Sequence, residues 1–537
     1  IFERLMLSWG DPLHSVPVLV NYGFTGSYSD AVKNPDAQDN TIFVSTNDGI
    51  LHAVDAKTGK EVSAFMPEDI LAQMAYRESD PKLIQPGNRR VTYGLDGSWT
   101  VWRKGPATES AEKVYLFGGM RRGGKNYYAL DYTDRNNPKL LWAAEGGVGD
   151  FSDLGQTWSE PTFGFVSIGG KNVPVLAIGG GYSADDHDQE SDVSYSDREG
   201  NAIYLVNAMT GEVIWKQVGG ALKWSIPAAV STVDINFDSK IDFLYAADLG
   251  GQIIRVDINS DAGNTSEVVE RVEVVAKPGV RDASGKANQR RFFSSPAVQI
   301  GYRDGTTFLQ VLAGSGARPH PMNEQTQDRF FAIEDYEALT HFKGQYQSQN
   351  VITDSELVDV TNDFSPDLSG SKGFYLNLEK GEKVLSTPSA LFGLVYFTTF
   401  VTDLNEINDC ASIPGGGRAY IINALNGAPA ADLDNDGKVD DPGKRYEEID
   451  NQGIPPSPQI IVPPLEEEDD ACDPATENCD ESDPKECPDI KYAVLIGTSI
   501  INGNSINACG VEKRQWRELE SMEQADERIQ KYSGGNP

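Results

Sequence analysis

The sequence has few cysteines and histidines, which zinc enzymes use as metal ligands. It also lacks the long apolar runs that span a membrane. Among 537 residues there are five cysteines, five histidines and seven methionines. The histidines show no HExxH or other metal-ligand spacing, and no two cysteines are adjacent. No apolar run approaches the roughly 18 residues that a membrane-spanning helix needs. These shortages argue against a zinc-dependent enzyme and against a span across the membrane.

Positive charge is also scarce. The chain has 46 Lys and Arg residues against 81 Asp and Glu, a formal net charge of -35. Such a surface repels phosphate backbones, so we expect no nucleic-acid partner. The excess of carboxylates attracts cations, although it is equally suited to solubility in a salty or extracellular setting.

The few cysteines all lie in the last quarter of the chain. They are Cys410, Cys472, Cys479, Cys487 and Cys509. Their odd number and uneven spacing do not define a disulfide framework. We favour one or two disulfides, formed in an oxidising compartment, and leave the pairing open. The segment 464–488 is so acidic that we expect an exposed insertion there.

An internal repeat organises the rest of the sequence. A short apolar run that ends in an acidic or amide residue and a turn occurs six times. The marker residues of these runs are Asp55, Asp131, Asn207, Asp257, Glu334 and Asn423. A second apolar run precedes each copy, and a Ser-x-Pro or Ser-Pro segment enters a third strand further upstream, as in 225–233. Each unit therefore predicts three to four strands joined by Gly, Asn and Asp turns.

Some of these runs, such as VLAI within 175–178, are too continuous for a sheet with one solvated face. About seven such units predict an all-β fold, a β-propeller of about seven blades. We expect residues 1–537 to form one domain, which includes the insertion and a charged tail at 513–537. Ring closure predicts that strand 492–500 shares a sheet with N-terminal residues. A pair of β-sandwiches is the alternative.

Two segments carry oxygen ligands at alternating positions, which is the pattern of a calcium-binding loop. The first supplies Asp234, Asn236, Asp238, Asp242 and the backbone carbonyl of Lys240. It lies between two predicted strands, which would hold the ligands in place. The glycine that favours a sharp turn at the sixth position is replaced by serine. An acidic turn without a metal is the alternative.

The second segment supplies Asp432, Asp434, Asp436, Asp440 and the carbonyl of Lys438, and it has the turn-forming glycine. Neither segment has Glu at the twelfth position, so neither is an EF-hand. We expect calcium at both, as loops of a different scaffold.

Other motifs resemble enzyme sites but lack the context. Residues 119–126, GMRRGGKN, fit a phosphate-binding GxxxxGK, but Asn replaces Ser or Thr and a strand follows, which predicts a hairpin turn. The cluster 185–188, DDHD, could hold a metal, although a solvated loop is the simpler interpretation. The turns VDAKTG and VNAMTG are similar to those of quinoprotein dehydrogenases, which are propellers as well.

Long stretches resemble the C-terminal domain of the PilY-type adhesins found at the tips of type IV pili. The resemblance rests on GDPLHSVPVLV (10–20), NDGILHAVDAKTGKEVSAFMP (47–67), SEPTFGFV (159–166), DINFDSKIDFLYAADLGGQIIRVDI (234–258) and GFYLNLEKGEKVLSTPSALFGLVYFTTF (373–400). It implies a modified seven-bladed propeller with one functional calcium loop, here at 234–242. The family's usual N-terminal part, often similar to a von Willebrand A domain, is absent from this sequence. Since the chain begins with Ile1 and shows no signal peptide, we expect a fragment of a longer protein.

The resemblance also implies a function. Family members act in pilus assembly, oppose retraction when calcium is bound, and support adhesion and twitching motility. The expected protein is therefore not an enzyme. It is extracellular and pilus-associated, and its partners are pilins or minor pilins and host or abiotic surfaces. No Arg-Gly-Asp is present, so integrin binding is not expected. A quinone-dependent periplasmic dehydrogenase is the main alternative, and a calcium-bound scaffold of the integrin α-propeller type is another.

Overall fold

The structure is a computed structural model that describes most of the chain. The described residues are 10–72, 93–188, 196–279, 289–342, 350–391, 393–402, 415–430, 444–449, 453–461, 489–497 and 499–507. They divide into two compact units. The first is drawn from Ile1–Ile235 and Ser239–Pro296, and the second from Asn236–Asp238 and Ala297–Pro537.

The first unit contains four antiparallel sheets, each built from four strands that are consecutive in the sequence. Its strands are β1 Val18–Phe24, β2 Gln38–Ser45, β3 Leu51–Asp55 and β4 Glu61–Phe65 in sheet 1; β5 Trp99–Lys104, β6 Lys113–Gly119, β7 Tyr127–Asp131 and β8 Lys139–Ala144 in sheet 2; β9 Thr162–Ile168, β10 Lys171–Gly179, β11 Ala202–Asn207 and β12 Val213–Val218 in sheet 3; and β13 Ser231–Val233, β14 Phe243–Ala247, β15 Ile253–Ile258 and β16 Val269–Ala276 in sheet 4.

The second unit contains three more sheets, which are less regular. Its strands are β17 Ala297–Arg303, β18 Thr306–Gly314, β19 Arg329–Asp335, β20 Val358–Asp359 and β21 Gly373–Asn377 in sheet 5; β22 Lys383–Val384, β23 Ser389–Leu391, β24 Leu394–Val401, β25 Gly416–Asn423 and β26 Tyr446–Ile449 in sheet 6; and β27 Gln459–Ile461, β28 Asp489–Ile496 and β29 Ser499–Asn507 in sheet 7. The short strand β20 pairs with β21 in parallel, whereas the other pairings are antiparallel.

Helices are short and few, as expected from the sequence. The α-helices are α1 Tyr28–Lys33, α2 Ala184–His187 and α3 Glu337–Phe342, and the 3-10 turns are Pro35–Ala37, Arg121–Gly123, Gly149–Phe151, Thr265–Glu267 and Asp354–Glu356. Within the described ranges, no helix is long and apolar enough to cross a bilayer.

Successive sheets within each unit pack face to face, so that an inner strand buries both of its faces. On β11, Leu205 belongs to the core between sheets 3 and 4. Its neighbours Tyr204 and Val206 belong to the core between sheets 2 and 3. In the second unit, the same arrangement fills the spaces between sheets 5 and 6 and between sheets 6 and 7. This explains why these strands are continuously apolar rather than alternating.

The six marker residues lie at equivalent positions, which confirms the repeat. Each ends the strand that is third in the pairing order of its sheet, or comes one residue before that end. Four of them close the following turn, because a side-chain oxygen accepts a backbone N–H two or three residues on; these are Asp55, Asp131, Asn207 and Asn423. Asp and Asn recur there because their short side chains make this turn.

The Ser-x-Pro segments lead into strands but do not themselves form them. In 225–233 the ladder begins only at Ser231. Upstream, Ile226 donates its N–H to the carbonyl of Gly200 and accepts a hydrogen bond from Gly181. Proline cannot donate to a ladder, so these segments bond to neighbouring turns instead.

One expectation about strands needs correction. Strand 492–500 was expected to share a sheet with N-terminal residues. In the described residues it falls in β28 and β29, and their sheet consists of three C-terminal strands.

Several expectations concern residues outside the described ranges. These are the five cysteines, the acidic insertion 464–488, the tail 513–537 and the second calcium segment, Asp432 to Asp440. The expectation of a single domain also stays a prediction.

Candidate functional site

The first calcium segment forms the connection between β13 and β14 in sheet 4. We call residues Asp234–Asp242 the acidic loop. The flanking strands pair in register, with Val233 opposite Phe243. Both ends of the loop are thereby fixed to an antiparallel pair, which confirms the predicted inter-strand position.

Asp234, the first predicted ligand, closes the loop from its N-terminal side. Its Oδ2 accepts a hydrogen bond of 2.7 Å from the backbone N–H of Ser239. This bond spans five residues and curls the chain. Ser239 adopts a left-handed backbone with φ 67°, and Phe237 does so as well with φ 61°. Serine takes the conformation for which the sequence pattern favours glycine, and this costs about 1 kcal/mol or more for each such residue.

Asp242, the last predicted ligand, is the most deeply placed of the set. It is 1% exposed and immediately precedes β14. Its backbone N–H donates to the carbonyl of Val233, and its own carbonyl accepts from Ile258. Its Oδ2 accepts a 2.8 Å hydrogen bond from the backbone N–H of Ile235. A buried carboxylate therefore ties the start of the loop to its end.

Asn236 and Asp238 occupy the middle of the acidic loop. The Oδ1 atom of Asn236 accepts a 2.9 Å hydrogen bond from the N–H of Asp238, which makes a local turn. Both side chains are half-buried, as is Lys240, whereas Phe237 is 49% exposed.

The acidic loop has the chemistry that calcium requires, but its oxygens also serve the fold. Among the described residues, no three His, Cys, Asp or Glu side chains are grouped as a ready-made metal site. Asp234 and Asp242 each use one carboxylate oxygen for a backbone N–H and each have a second. An ion would therefore need these second oxygens together with the amide of Asn236 and backbone carbonyls, which are all hard donors of the kind Ca²⁺ prefers.

The DDHD cluster does not converge on a metal. It forms α2 and its C-terminal cap rather than a solvated loop, and His187 is fully buried with Nε2 2.7 Å from Asp197. Partial burial raises the pKa of Asp186, but hydrogen bonds from Arg198 and Ser183 outweigh it and leave that pKa below its ordinary value. The prediction of a solvated loop was wrong, because His187 packs inward. The sequence repeat gave no indication of this burial.

The GMRRGGKN segment is a hairpin turn, as predicted. It joins β6 to β7 through the 3-10 turn Arg121–Gly123. The sequence did not indicate what the turn presents: both guanidinium groups lie over the ring of Trp158, at 4.1 Å for Arg121 and 4.7 Å for Arg122. Trp158 stands just before β9, and a comparison of the residues that precede the first strand of each repeat could have found it.

A buried carboxylate was also missed. Asp248 lies in the β14–β15 turn, where it accepts hydrogen bonds from the backbone of Gly250 and from the backbone and side chain of Gln252. Burial raises its pKa to about 7, against the effect of these hydrogen bonds. The sequence shows only another acidic turn at this position.

The described sheets and their packing define the class of this protein as a β-propeller, and the comparisons with known proteins agree. Residues 17–283 match a family described as the PilY1 beta-propeller domain, a span that includes the acidic loop. The crystal structure of the Pseudomonas aeruginosa PilY1 C-terminal domain aligns with a TM-score of 0.60 and 19% identity, over 91% of this chain and 99% of that one. Over residues 17–283, just under half of its length, the chain is similar to the PilY1 β-propeller family.

The curated relatives are much longer than this chain. A type IV pilus biogenesis factor PilY1 homolog of Xylella fastidiosa is 26% identical over 72% of this chain and 29% of its own length. The type IV pilus biogenesis factor PilY1 of Pseudomonas aeruginosa is 30% identical over 46% of this chain and 19% of its own length. The chain thus spans less than a third of these relatives.

Proposed function

We propose that this chain is the calcium-binding propeller of a type IV pilus biogenesis factor. The observation that carries the proposal is the acidic loop, which lies inside the family match and presents carboxylates between two paired strands. The relatives that share this region are named as pilus biogenesis factors. The chain would work at the cell surface with pilins or minor pilins, where calcium is available and a net charge of -35 attracts it.

Calcium would act by neutralising the loop. Asp234, Asp238 and Asp242 place three carboxylates within nine residues, and without an ion their charges repel one another. Two left-handed non-glycine residues add strain to the same loop. An ion that binds the folded loop and not the unfolded chain stabilises the fold by about 2.7 kcal/mol at a hundred times its dissociation constant.

The biological role follows from coupling this loop to the pilus. Occupied loops would oppose retraction and favour extension, and so would support surface adhesion and twitching motility. The rigid strand pair on both sides of the loop supports the proposal, since ordering the loop would fix the surface that it presents. The calcium segment at 432–440 is proposed as a second site on its sequence pattern alone.

The test pairs calorimetry with pilus behaviour. Calcium is titrated into the wild-type protein, Asp242→Ala and a control variant, Asp134→Ala. Asp134 is exposed and also closes a turn, by accepting from the N–H of Asn136, but it has no neighbouring ligand set. We expect Asp242→Ala alone to lose affinity and to impair surface piliation or twitching when placed in the native full-length protein.

The outcomes separate the parts of the proposal. Unchanged affinity in Asp242→Ala would show that the acidic loop is not the site. Lost affinity with normal piliation and twitching would make the ion purely structural. Asp242→Lys, which places a positive charge in the loop, is expected to mimic occupancy in part and to retain more retraction control than Asp242→Ala.

We propose further that the chain is not an enzyme. Proteins related to it over this region are named for pilus biogenesis, and the adjacent cysteine pair common in quinoprotein dehydrogenases is missing from the sequence. We expect no turnover of alcohols or sugars when quinone and calcium are supplied. Dye reduction above a protein-free control, together with the absorbance of bound quinone, would overturn this.

A further inference from the structure

One arginine of the second unit is buried against main-chain carbonyls. Arg445 is 5% exposed and directly precedes β26. Its Nε donates to the carbonyl of Gly427 at 2.7 Å, and its Nη1 donates to that of Thr361 at 2.8 Å. Its Nη2 donates to the carbonyls of Val360 at 2.6 Å and Asp363 at 2.8 Å. In the described part of the chain, all of its side-chain hydrogen bonds therefore go to the main chain.

Two segments supply these oxygens, and they pack directly on each other. Residues 360–363 form a turn after β20, in which the N–H of Asp363 donates to the carbonyl of Val360. The ring of Phe364 follows and lies 4.5 Å from the guanidinium carbon of Arg445. A Cβ atom at Gly427 would lie 2.9 Å from the side chain of Val360, so the turn after β25 has no room to move away. We call the carbonyls of 360, 361, 363 and 427 the carbonyl cage.

The segment around this turn has the side-chain pattern of a calcium loop but is folded for another cation. Acids and hydroxyls stand at every second position from 359 to 369, DVTNDFSPDLS. Their oxygens make local turns: Oδ1 of Asp363 accepts from the N–H of Ser365 at 3.0 Å, and Oδ1 of Asp367 accepts from that of Ser369 at 2.9 Å. The main-chain carbonyls face the cation instead, and that cation is the guanidinium of Arg445.

The chain that precedes Arg445 explains why a fixed cation is needed there. In sheets 1 and 3, five residues join the third strand to the fourth, 56–60 and 208–212. In sheet 6, 22 residues, 424–445, separate β25 from β26. A tight turn fixes the start of the next strand, whereas closing a longer connection costs more conformational entropy. Arg445 ends this connection and ties it to sheet 5.

An arginine of the first unit is held in the same way. Nε of Arg103 donates to the carbonyl of Asn21 at 2.8 Å. Its Nη1 donates to the carbonyls of Gly105 and Pro106 at 2.9 and 3.0 Å, and its Nη2 donates to that of Glu109. Three of these carbonyls belong to the eight-residue connection 105–112 between β5 and β6. In both units, a guanidinium bound by carbonyls accompanies a connection longer than a tight turn.

The carbonyl cage holds its charge permanently. Burial lowers the pKa of Arg445, against the opposing charges of Tyr420, Asp363 and Asp359. An arginine side chain nevertheless stays protonated in proteins. The acidic loop has carboxylates that need an external ion, whereas the carbonyl cage has a cation that belongs to the chain.

We propose that Arg445 is a built-in cation that latches β26 of sheet 6 to the β20–β21 loop of sheet 5. Its planar fork matches oxygens in fixed directions, which the flexible point charge of a lysine cannot do. The latch makes the order of β26 independent of calcium. It stands whether or not the acidic loop binds an ion.

The experiment is hydrogen exchange on the whole chain, followed by mass spectrometry, with calcium and with a chelator. The variants are Arg445→Ala, Arg445→Lys and the control Arg198→Ala, since Arg198 is 64% exposed and pairs with Asp186. Exchange is compared between β26 and β15, a buried strand of the first unit. Arg445→Ala is also measured with methylguanidinium, which can refill the cage, and with urea, its neutral analogue.

We expect the exchange of β26 in the wild-type protein to be the same with calcium and with chelator. Arg445→Ala should speed it about tenfold or more, because buried carbonyls lose their donors. Arg445→Lys should speed it less, Arg198→Ala should not change it, and β15 should stay protected in every variant. Methylguanidinium should partly restore the protection of β26 in Arg445→Ala, and urea should not.

Three results would each overturn the proposal. They are unchanged exchange of β26 in Arg445→Ala, an equal rise in β15, and protection restored by calcium rather than by methylguanidinium. Should Arg445→Ala fail to fold, as judged by its thermal melt, the same comparison of β26 with β15 in Arg445→Lys decides.

Discussion

Two acidic turns, each between consecutive strands of one sheet, use aspartate in different ways. In the turn between β3 and β4, Asp55 accepts hydrogen bonds from the backbone and hydroxyl of Thr58, and Gly59 provides the left-handed residue with φ 67°. In the acidic loop, three aspartates share nine residues, and Phe237 and Ser239 take left-handed conformations without glycine.

The difference shows which acidic turns need an explanation beyond folding. A single carboxylate and one glycine are enough to close the β3–β4 turn. The acidic loop carries three like charges within nine residues and two left-handed non-glycine residues, and it places Asp242 where water cannot screen its charge. A bound cation offsets these costs, which is the physical basis of the calcium proposal.

The largest expected effect comes from the buried end of the acidic loop. Asp242→Ala removes a ligand charge and leaves the buried N–H of Ile235 without its acceptor, which costs about 1–3 kcal/mol even without calcium. Asp242→Asn keeps that acceptor and removes only the charge. We expect both variants to lose calcium-dependent stabilisation and only the Ala variant to melt lower in a chelator. Thermal melts with and without calcium measure this.

One result for the variants Asp242→Ala and Asp242→Asn would contradict this expectation. If Asp242→Asn retained the full calcium shift in melting temperature, the charge of Asp242 would not contribute to an ion site. The two turns would then differ only in local geometry.

A third acidic turn, β14–β15, differs from both, because its carboxylate, that of Asp248, is buried and hydrogen-bonded. Since burial raises the folded-state pKa of Asp248 to about 7, its contribution to stability is complete below pH 4 and is lost as the pH rises through 7. We expect Asp248→Asn to flatten the decline in stability between pH 5 and pH 8. Urea unfolding at these two pH values measures it, and an unchanged slope in the variant would contradict it.

A smaller effect is expected from relieving the strain. Ser239→Gly places the residue that tolerates φ 67° at the sixth position of the acidic loop. Relief of the strain is partly offset by the greater freedom of glycine in the unfolded chain. We expect calcium-free stability to rise by roughly 0.5 kcal/mol, measured by urea unfolding in a chelator. A loss of stability would show that the Ser239 side chain, rather than its backbone, matters.

The smallest effect is expected at the β3–β4 turn. The side-chain hydrogen bond from Thr58, followed by the backbone bond, lowers the pKa of Asp55, so its contribution is present at neutral pH and is lost as the pH falls through that lowered pKa. Asp55→Ala should lower the melting temperature slightly at pH 7, less than Asp242→Ala, and should not change the response to calcium. A changed calcium response in Asp55→Ala would contradict the claim that the acidic loop, and not the β3–β4 turn, binds calcium.

Much of the fold could be predicted because the repeat has a local cause. Asp55, Asp131, Asn207 and Asn423 recur because each closes the turn after the third strand, and that requirement is visible in the sequence. The burial of strands on both faces could also be predicted, from the continuous apolar runs. The irregular strands of sheets 5 and 6 could not be predicted, since the pairing of β20 with β21 depends on residues without any alternating pattern.

The candidate sites also differ in whether a local sequence pattern reveals them. The acidic loop could be found because its ligands are consecutive and a strand stands on either side. The stacking of Arg122 and Tyr182 on Trp158 could not be found, because these three residues belong to separate segments that meet only when sheets 2 and 3 pack. The burial of His187 and Asp248 depends on the same packing, and their sequence neighbourhoods look solvated.

The most direct test of the calcium account is a crystal structure of this chain grown with calcium and recorded with anomalous scattering. We predict a peak in the acidic loop with oxygens of Asp234, Asn236, Asp238, Asp242 and the Lys240 carbonyl at about 2.3–2.6 Å. A loop that keeps its present hydrogen bonds and shows no peak, in crystals that contain millimolar calcium, would contradict the account.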